Sequence, residues 1–359
     1  MNNGYNNGKL KILLTPGAER FGDALNEHLN KIRDTKENYI TLSEHPRFGD
    51  GDGKTVLGES VRGTDLYIVT DVTNDSITYN MKGKQNRYSP DDHWGDLKTV
   101  LGADSGHPVN ENVVMPFLYK GRQHRKEARE GLNCAIALQE LEKEGVDRII
   151  TFDAHDPGVA NAVPRMPFEN IPTKHLLFKF YREELRNKYP KITPEDVMFV
   201  APDLGAMKLA ASYAISYGTT GVDAFYKERD KAKVVDGTNP VIKRHNIRGE
   251  FADKIVCVAD DMFASGESMI EVAKDINKRG ALKIDFLTSH MLATKGFQTL
   301  DELHSQGVID NVLTTNLSYF DSEGRDYIKI VDATGLMARV IHRLNANKSI
   351  SPILEGKEI

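Results

Sequence analysis

Four apolar, strand-like runs that each lead to an aspartate limit the folds that this chain can adopt. The runs cover residues 66–70, 149–152, 198–202 and 255–259, and they lead to Asp71, Asp153, Asp203 and the pair Asp260 and Asp261. Runs that are apolar on both faces are typical of strands buried in a parallel sheet, and helical segments between them can supply the crossovers. The sequence therefore predicts an α/β protein.

Length and proline content predict the domain organisation. The chain has 359 residues, which at roughly 100 to 200 residues per domain favours two domains, or three. Pro164, Pro167 and Pro172 crowd one region, so we predict a boundary near residue 163. We expect a first domain over residues 9–163, a second over 164–325, and a carboxy-terminal segment, 326–359, that packs back on the first.

Local signals predict where helices and loops lie. Ser268 and Glu271 form a capping-box pattern, and glycines follow several apolar-periodic stretches. Such punctuation marks the beginnings and ends of helices. We predict helices over residues 127–144, 206–217 and 268–279, a short helix over 94–101, and a loop over 82–89.

The balance of charges argues against a polyanionic macromolecule as a partner. Lys and Arg number 47 and Asp and Glu number 52, which gives a net charge of −5. Such a chain has no broad positive field for a nucleic acid or an anionic bilayer, so we predict neither as a partner. Two local basic clusters, residues 120–126 and 227–233, are either solvated surface or places that hold a small polyanion.

We expect a cytoplasmic protein from the apolar pattern of the chain. The apolar runs fall far short of the roughly 18 residues that a membrane span requires, and residues 1–8 are polar rather than signal-like. The two cysteines, Cys134 and Cys257, lie in apolar-periodic segments without metal-ligand spacing. They are predicted to be buried, reduced thiols.

The segment from Val258 to Ser268 carries the clearest chemical signal. It contains an apolar strand, the acids Asp260 and Asp261, a turn of small residues and the start of a helix. Backbone N–H groups at a helix start can bind a phosphate, and neighbouring carboxylates can accept hydrogen bonds from vicinal sugar hydroxyls. The pattern favours a sugar phosphate site, and a capped helix with a charged approach is the alternative.

This segment resembles the phosphoribosyl diphosphate binding motif of type I phosphoribosyltransferases. Further motifs extend the resemblance to the ribose-phosphate pyrophosphokinase family over nearly the whole chain. They lie at residues 48–52, 61–63, 115–126, 145–155, 202–205, 227–229 and 349–352. The resemblance implies two phosphoribosyltransferase-type domains, each a mainly parallel sheet flanked by helices.

The resemblance also implies a role for each matching residue. Phe48, Asp50 and Asp52 would line an adenine pocket that is contributed across a subunit interface. The ATP phosphates and Mg²⁺ would be held by Arg122, Gln123 and His155. Ribose 5-phosphate would be bound by Asp203, Asp260, Asp261, Ser265, Gly266 and Ser268, and the metal ligands would be His155 and Asp203.

The implied activity is transfer of diphosphate from ATP to ribose 5-phosphate, with Lys227 and Arg229 acting on the transferred group. Mg²⁺ is the implied cofactor, and self-association into a dimer or hexamer is expected. A non-catalytic regulatory subunit and a phosphoribosyltransferase are the alternatives. Lys227 and Arg229 argue against the first, because a chain freed from catalysis has no physical need for both.

Several positions depart from the family pattern. Ala264 stands where the family has a third Asp, and Glu267 stands where it has Gly. A carboxylate at Glu267 either lies near the bound phosphate, turns outward or caps the helix. Asp52 replaces a Glu, His124 replaces an Asp, and the region 74–89 is longer than the family core.

Overall fold

The computed structural model describes residues 7–126, 129–229, 241–246 and 249–358, with the backbone alone for 226–229 and 241–246. These residues divide into two compact units. The first unit contains the described residues up to Thr173, the short segment Asn316–Tyr319 and the described residues from Asp332 onward. The second unit contains Lys174–Thr315 and Phe320–Val331, as far as they are described.

Strands and helices alternate along much of the described chain. The strands are β1 (Lys9–Leu14), β2 (Ser43–Glu44), β3 (Val56–Leu57), β4 (Thr64–Val69), β5 (Thr78–Met81), β6 (Lys84–Arg87), β7 (Asn110–Val114), β8 (Arg148–Phe152), β9 (Phe168–Ile171), β10 (Val197–Ala201), β11 (Val222–Arg229), β12 (Val241–Asn246), β13 (Ile255–Phe263), β14 (Lys283–Met291), β15 (Asn311–Thr315) and β16 (Ile328–Val331). The helices are α1 (Gly22–Arg33), α2 (Pro90–Asp104), α3 (Asn133–Glu144), α4 (Lys174–Lys188), α5 (Met207–Tyr217), α6 (Glu267–Lys278), α7 (Gln298–Ser305), α8 (Thr334–Asn345) and α9 (Ser351–Leu354).

The first unit is built on a five-stranded parallel sheet in the order β1-β4-β7-β8-β9. Strand β4 is buried along its whole length, as expected for a central parallel strand. Side chains of α2 and α3, such as Leu97 and Leu138, share one buried cluster with Leu66 and Ile68 of β4. Helix α1 packs against α8, so the carboxy-terminal helices belong to this unit.

The second unit is built on a seven-stranded sheet in the order β12-β11-β10-β13-β14-β15-β16. All neighbouring pairs are parallel except β11 with β12. Residues of α6 and α7 join one buried cluster, and residues of α4 and α5 join another. Two mainly parallel sheets flanked by helices confirm the predicted fold class.

The first unit continues to Thr173 rather than ending near residue 163. The reason is that β9 pairs in parallel with β8 and completes the first sheet, so its residues cannot belong to the second. At the other end of the chain, β16 pairs with β15 in the second sheet. After β16 the chain therefore returns to the first unit at Asp332, not at residue 326.

The predicted loop over residues 82–89 is instead part of a hairpin in which β5 pairs antiparallel with β6. Lys82 and Gly83 both have positive φ angles, 52° and 77°, which is the backbone that a two-residue hairpin turn requires. Tyr79 and Met81 alternate with Thr78 and Asn80 in β5, but this alternation spans only four residues and β6 is polar throughout, so the pattern was too short to mark a hairpin. We name residues 78–87 the β5–β6 hairpin.

The predicted helix over residues 94–101 is longer than expected and covers all of α2. Ser89 caps it through a capping box with Asp92, and Pro90 occupies the first turn. The helix predicted from Glu127 begins at Asn133, and Glu127 itself lies outside the described residues. Helix α5 ends at Gly218, which adopts a left-handed backbone as predicted.

Two other expectations concern membrane spans and thiols. In the parts of the chain that the structure describes, no helix is long and apolar enough to cross a membrane. Cys134 and Cys257 are buried free thiols, as predicted. Burial raises the pKa of the Cys134 thiol to about 11, so it stays protonated and unreactive near neutral pH.

Candidate active site

Three acids of the second unit come together at the carboxyl ends of β10 and β13. Asp203 follows β10, while Asp260 and Asp261 lie within β13, which continues to Phe263 instead of ending at the acids. The Asp261 N–H donates to Asp260 Oδ1 at 3.0 Å. Burial raises the pKa of Asp260, and the charges of Asp261 and then Asp203 add to the shift. Hydroxyl donors or a cation would relieve this repulsion.

The turn after these acids leads directly into α6. Gly266 has φ 73°, and a Cβ built on it would lie 1.9 Å from the Phe263 ring, so glycine is required there. Helix α6 begins at Glu267, and the capping box predicted at Ser268 is wrong. Because Gly266 has no side chain to cap the helix, the first-turn backbone N–H groups have no side-chain cap, as suits an anion-binding helix start. Ser265 and Ser268 are half-buried beside this turn.

The Glu267 carboxylate is turned away toward Lys295, whose Nζ lies 2.6 Å from Glu267 Oε1. The sequence left three placements for this carboxylate: near the bound phosphate, outward, or capping the helix. In the structure it points outward. Both side chains are more than half exposed, so the ion pair is a weak one. Sequence reasoning missed Lys295, since it lies in the turn after β14 and only the fold brings it to α6.

In the first unit, residues 48–52 form a tight turn that we name the Phe48 loop. The Phe48 N–H donates to the Asp52 carbonyl and the Gly51 N–H donates to the Phe48 carbonyl, both at 2.9 Å. The Asp52 N–H also bonds Asp50 Oδ1 at 3.2 Å. Phe48 is nevertheless 56% exposed, and both acids are exposed. An exposed aromatic ring on an ordered turn is suited to contact a ligand.

The basic segment predicted to hold ATP phosphates lies near the carboxyl ends of β7 and β8. Arg122 and Gln123 are exposed, and the Gln123 carbonyl accepts a hydrogen bond from the Cys134 N–H at 3.3 Å. The rings of His124 and His155 meet edge to face with centroids 5.3 Å apart. The structure therefore brings together two of the predicted ATP-binding segments.

Asp156 adds an acid that sequence reasoning missed. His124 Nε2 lies 3.5 Å from Asp156 Oδ2, so a protonated His124 would form an ion pair there. The turn that carries His155 begins at Asp153, which has a positive φ of 41°. The Asp153 carboxylate accepts a hydrogen bond from the Thr173 N–H at 3.0 Å, which holds this turn against β9.

The predicted metal ligands are divided between the two units, His155 in the first and Asp203 in the second. Among the described residues, no group of three or more His, Cys, Asp or Glu side chains could hold a metal ion by itself. Mg²⁺ in proteins often takes most of its ligands from water and substrate phosphates.

The predicted catalytic residues Lys227 and Arg229 lie two apart in β11. Their strand pairs antiparallel with β12, with a register shift between Glu228 and Arg229. Their side chains lie outside the described part of the structure. Residues 230–240 and 247–248, on either side of β12, are outside the described residues.

Two family models match the chain. The N-terminal domain of ribose phosphate pyrophosphokinase matches residues 20–145, and the phosphoribosyl synthetase-associated domain matches residues 226–355. Together they cover more than half of the sequence.

Relatives of similar length support the same assignment. A protein named putative ribose-phosphate pyrophosphokinase 2 from Streptococcus mutans is 26% identical over 98% of this chain and 97% of its own length. Ribose-phosphate pyrophosphokinase of Thermotoga maritima is 25% identical over 88% of this chain and 92% of its own. The structure is similar to phosphoribosylpyrophosphate synthetase from Mycobacterium smegmatis, with a TM-score of 0.74, 19% identity and coverage of 94% of this chain and 99% of that one.

Proposed function

The chain belongs to the ribose-phosphate pyrophosphokinase family, and we propose that it transfers the diphosphoryl group of ATP to the 1-hydroxyl of ribose 5-phosphate. The products are phosphoribosyl diphosphate, for nucleotide biosynthesis, and AMP. The observation that carries this proposal is the group Asp203, Asp260 and Asp261 beside the Gly266 turn and the start of α6. That group offers acceptors for ribose hydroxyls and N–H donors for a 5-phosphate.

In this proposal Asp260 and Asp261 accept hydrogen bonds from the ribose hydroxyls, helped by Asp203. Ser265, Gly266 and Ser268 bind the 5-phosphate. The raised pKa of Asp260 supports the role, because hydroxyl donors from the sugar would offset the repulsion among the three carboxylates. The Glu267 carboxylate does not oppose the phosphate strongly, since Lys295 neutralises it.

ATP belongs to the first unit in this proposal. Arg122, Gln123 and His155 hold the phosphates, and Phe48, Asp50 and Asp52 of a neighbouring subunit hold the adenine. The exposed Phe48 ring supplies a face for stacking, and the exposed acids supply acceptors for the amino group of the base. The contact between His124 and His155 supports a phosphate role for this segment.

Lys227 and Arg229 act on the transferring group. Attack of the anomeric hydroxyl on the β-phosphorus requires positioning and neutralisation of charge more than covalent help. Cations that meet the charge growing on the transferred group and on the departing AMP stabilise the transition state more than the ground state.

Mg²⁺ is the proposed cofactor, and the Asp203 carboxylate and the His155 ring nitrogen are the groups that would hold it with the substrate phosphates. The raised pKa of Asp260 supports this assignment, because a nearby cation would compensate the clustered carboxylates. When bound, Mg²⁺ neutralises charge on the triphosphate. The proposal further includes a cytoplasmic location, a homodimer or homohexamer, and no membrane or nucleic-acid partner.

A coupled assay of AMP release tests the proposed reaction. We expect AMP to form only when ATP, Mg²⁺ and ribose 5-phosphate are all present, and Lys227→Ala and Arg229→Ala each to lower kcat on the order of 10³-fold. Absence of AMP together with binding of both substrates would favour a regulatory subunit. Transfer of a phosphoribosyl group to a nucleobase without AMP release would favour a phosphoribosyltransferase.

A further inference from the structure

Directly before the Phe48 loop, the side chain of Arg47 contacts two tyrosine rings that themselves meet edge to face with centroids 5.4 Å apart. Its guanidinium carbon lies 4.5 Å from the centroid of Tyr79 and 4.4 Å from that of Tyr88. The Nε–H group donates to the Tyr88 hydroxyl at 2.7 Å. Only 10% of the Arg47 side chain is exposed, so these contacts are shielded from solvent.

Arg47 also connects the Phe48 loop to α2. Its Nη1–H group donates to the Gly51 carbonyl at 2.9 Å, and its Nη2–H group donates to Asp96 Oδ1 at 2.9 Å. Asp96 is buried in α2. A single side chain therefore links a loop carbonyl, a buried carboxylate and two aromatic rings, which requires the planar fork of arginine.

The β5–β6 hairpin also contacts the Phe48 loop directly. The Lys82 N–H donates to the Gly49 carbonyl at 2.8 Å. Gly51 has φ 97°, and a Cβ built on it would lie 2.8 Å from the Met81 sulfur, so the hairpin packs closely on the loop. The region that is longer than the family core therefore touches the loop that carries Phe48.

These contacts fix the backbone of the loop without covering the side chains that it presents. The Gly49 and Gly51 carbonyls are both occupied by hydrogen bonds, whereas Phe48, Asp50 and Asp52 remain exposed. A loop that is ordered before binding avoids the loss of conformational freedom that would otherwise weaken ligand affinity. The arrangement is that of a pre-organised binding loop.

We propose that Arg47 is a positioning residue of the nucleotide site and that the β5–β6 hairpin buttresses the Phe48 loop for ATP. The proposal rests on the proposed function, which assigns the loop to adenine. It identifies a role for the long region 74–89. Loss of Arg47 weakens the nucleotide site selectively, because the ribose 5-phosphate residues belong to the second unit.

The test compares Arg47→Ala, Arg47→Lys and the matched control Arg87→Ala, all in the full chain. Arg87 lies on the same hairpin with 74% of its side chain exposed and one exposed partner, Asp75. We expect Arg47→Ala to raise KM for ATP and Kd for MgATP about tenfold, with KM for ribose 5-phosphate within about twofold. Arg47→Lys should restore only a small part of the affinity, and Arg87→Ala should behave as the unaltered chain.

An equal rise of KM for both substrates, or full rescue by lysine, would overturn the positioning role. Should Arg47→Ala not fold, Tyr79→Leu removes one stacking ring and leaves the Asp96 ion pair. We expect about threefold weaker MgATP binding in that variant, and unchanged binding would also overturn the proposal.

Phe48→Ala separates this proposal from the proposed function. Unchanged MgATP affinity in Phe48→Ala would refute the assignment of the loop to adenine, and the positioning role would fail with it. Weakened binding in Phe48→Ala together with normal binding in Arg47→Ala would refute the positioning role alone. Weakened ATP binding in both variants, with ribose 5-phosphate unaffected, is the expected result.

Discussion

Each unit contains a pair of neighbouring acids, fully buried in the first unit and partly buried in the second, and the two pairs differ in what surrounds them. In the first unit, burial raises the pKa of Asp104 to about 6 and that of Glu111 to about 8, with the charge of Asp104 adding to the second shift. In the second unit, burial and the charge of Asp261 raise the pKa of Asp260. The same electrostatic cause therefore acts in both pairs.

The surroundings assign different roles to the pairs. Asp104 ends α2 and Glu111 lies at the beginning of β7, on the opposite edge of the sheet from the segments proposed to bind ATP. Asp104 Oδ2 and Glu111 Oε1 are both buried and lack a hydrogen-bond donor among the described residues, so a proton shared between them is the simplest compensation. Asp260 and Asp261 instead adjoin a glycine turn and a helix start. A raised pKa alone therefore does not distinguish the two pairs. The glycine turn and helix start beside Asp260 and Asp261 are what assign the second pair to a binding site.

The largest effect is expected from neutralising the pair in the second unit. Asp260→Asn and Asp261→Asn remove charged acceptors that we assign to ribose hydroxyls. Each hydrogen bond to a charged group contributes about 1.5 to 3 kcal/mol, so ribose 5-phosphate affinity should fall about 10- to 100-fold. Isothermal titration measures this change. If both variants bound ribose 5-phosphate within about twofold of the unaltered chain, the assignment of Asp260 and Asp261 to the ribose hydroxyls would be wrong.

The same Asp260→Asn variant should be more stable than the unaltered chain when no ligand is present. A carboxyl whose pKa is raised by folding contributes stability below its ordinary pKa and loses it as pH rises through the folded pKa. At any pH above the ordinary carboxyl pKa this group therefore opposes folding, and asparagine removes that opposition. Thermal unfolding should show a higher midpoint for the variant, but stabilisation by ribose 5-phosphate should be lost. A lower midpoint without ligand would contradict this account.

Glu111→Gln tests the pair in the first unit. The raised pKa of Glu111 means that its contribution to stability is fully present below its ordinary pKa and is lost as pH rises through about 8. From about pH 7 to about pH 9 the unaltered chain should lose on the order of 1 kcal/mol, or about 2 to 4 °C in the midpoint.

The glutamine variant should lack this loss, because its amide supplies a donor to Asp104 without a charge. Its AMP-release activity should stay within about twofold of the unaltered chain. A large fall in activity with unchanged stability would instead place the pair of the first unit in the site. Asp104→Asn serves as the companion variant and should show the same flattening of the pH dependence.

The smallest effect is expected at Glu267. Its exposed pair with Lys295 contributes about 1 kcal/mol or less. In Glu267→Gln the Lys295 ammonium is no longer neutralised, so it should attract the 5-phosphate and lower KM for ribose 5-phosphate about two- to fivefold. Glu271→Gln, one turn further along α6, is the matched control. A raised KM in the Glu267 variant would mean that this carboxylate supports the site.

Local patterns of the sequence were sufficient for the fold class and for the edge of each sheet that carries the acids. Apolar runs of strand length, glycines after helices and the Val258–Ser268 segment are short-range features, so their meaning does not depend on distant residues. The predicted positions of Asp203, Asp260 and Asp261 could be inferred because parallel strands end at a common edge. The motifs of the family connected these positions to a phosphorylated sugar and to ATP.

Only the tertiary structure decided which side chains meet across distant parts of the chain. The hairpin of residues 78–87 was hidden because the alternation in β5 spans only four residues, β6 is polar throughout, and its turn depends on Lys82 adopting a positive φ. The contacts of Glu267 with Lys295 and of Arg47 with Tyr79, Tyr88 and Asp96 join residues 28 to 49 positions apart. No local pattern encodes such pairs, because the packing of whole strands and helices determines which surfaces come together.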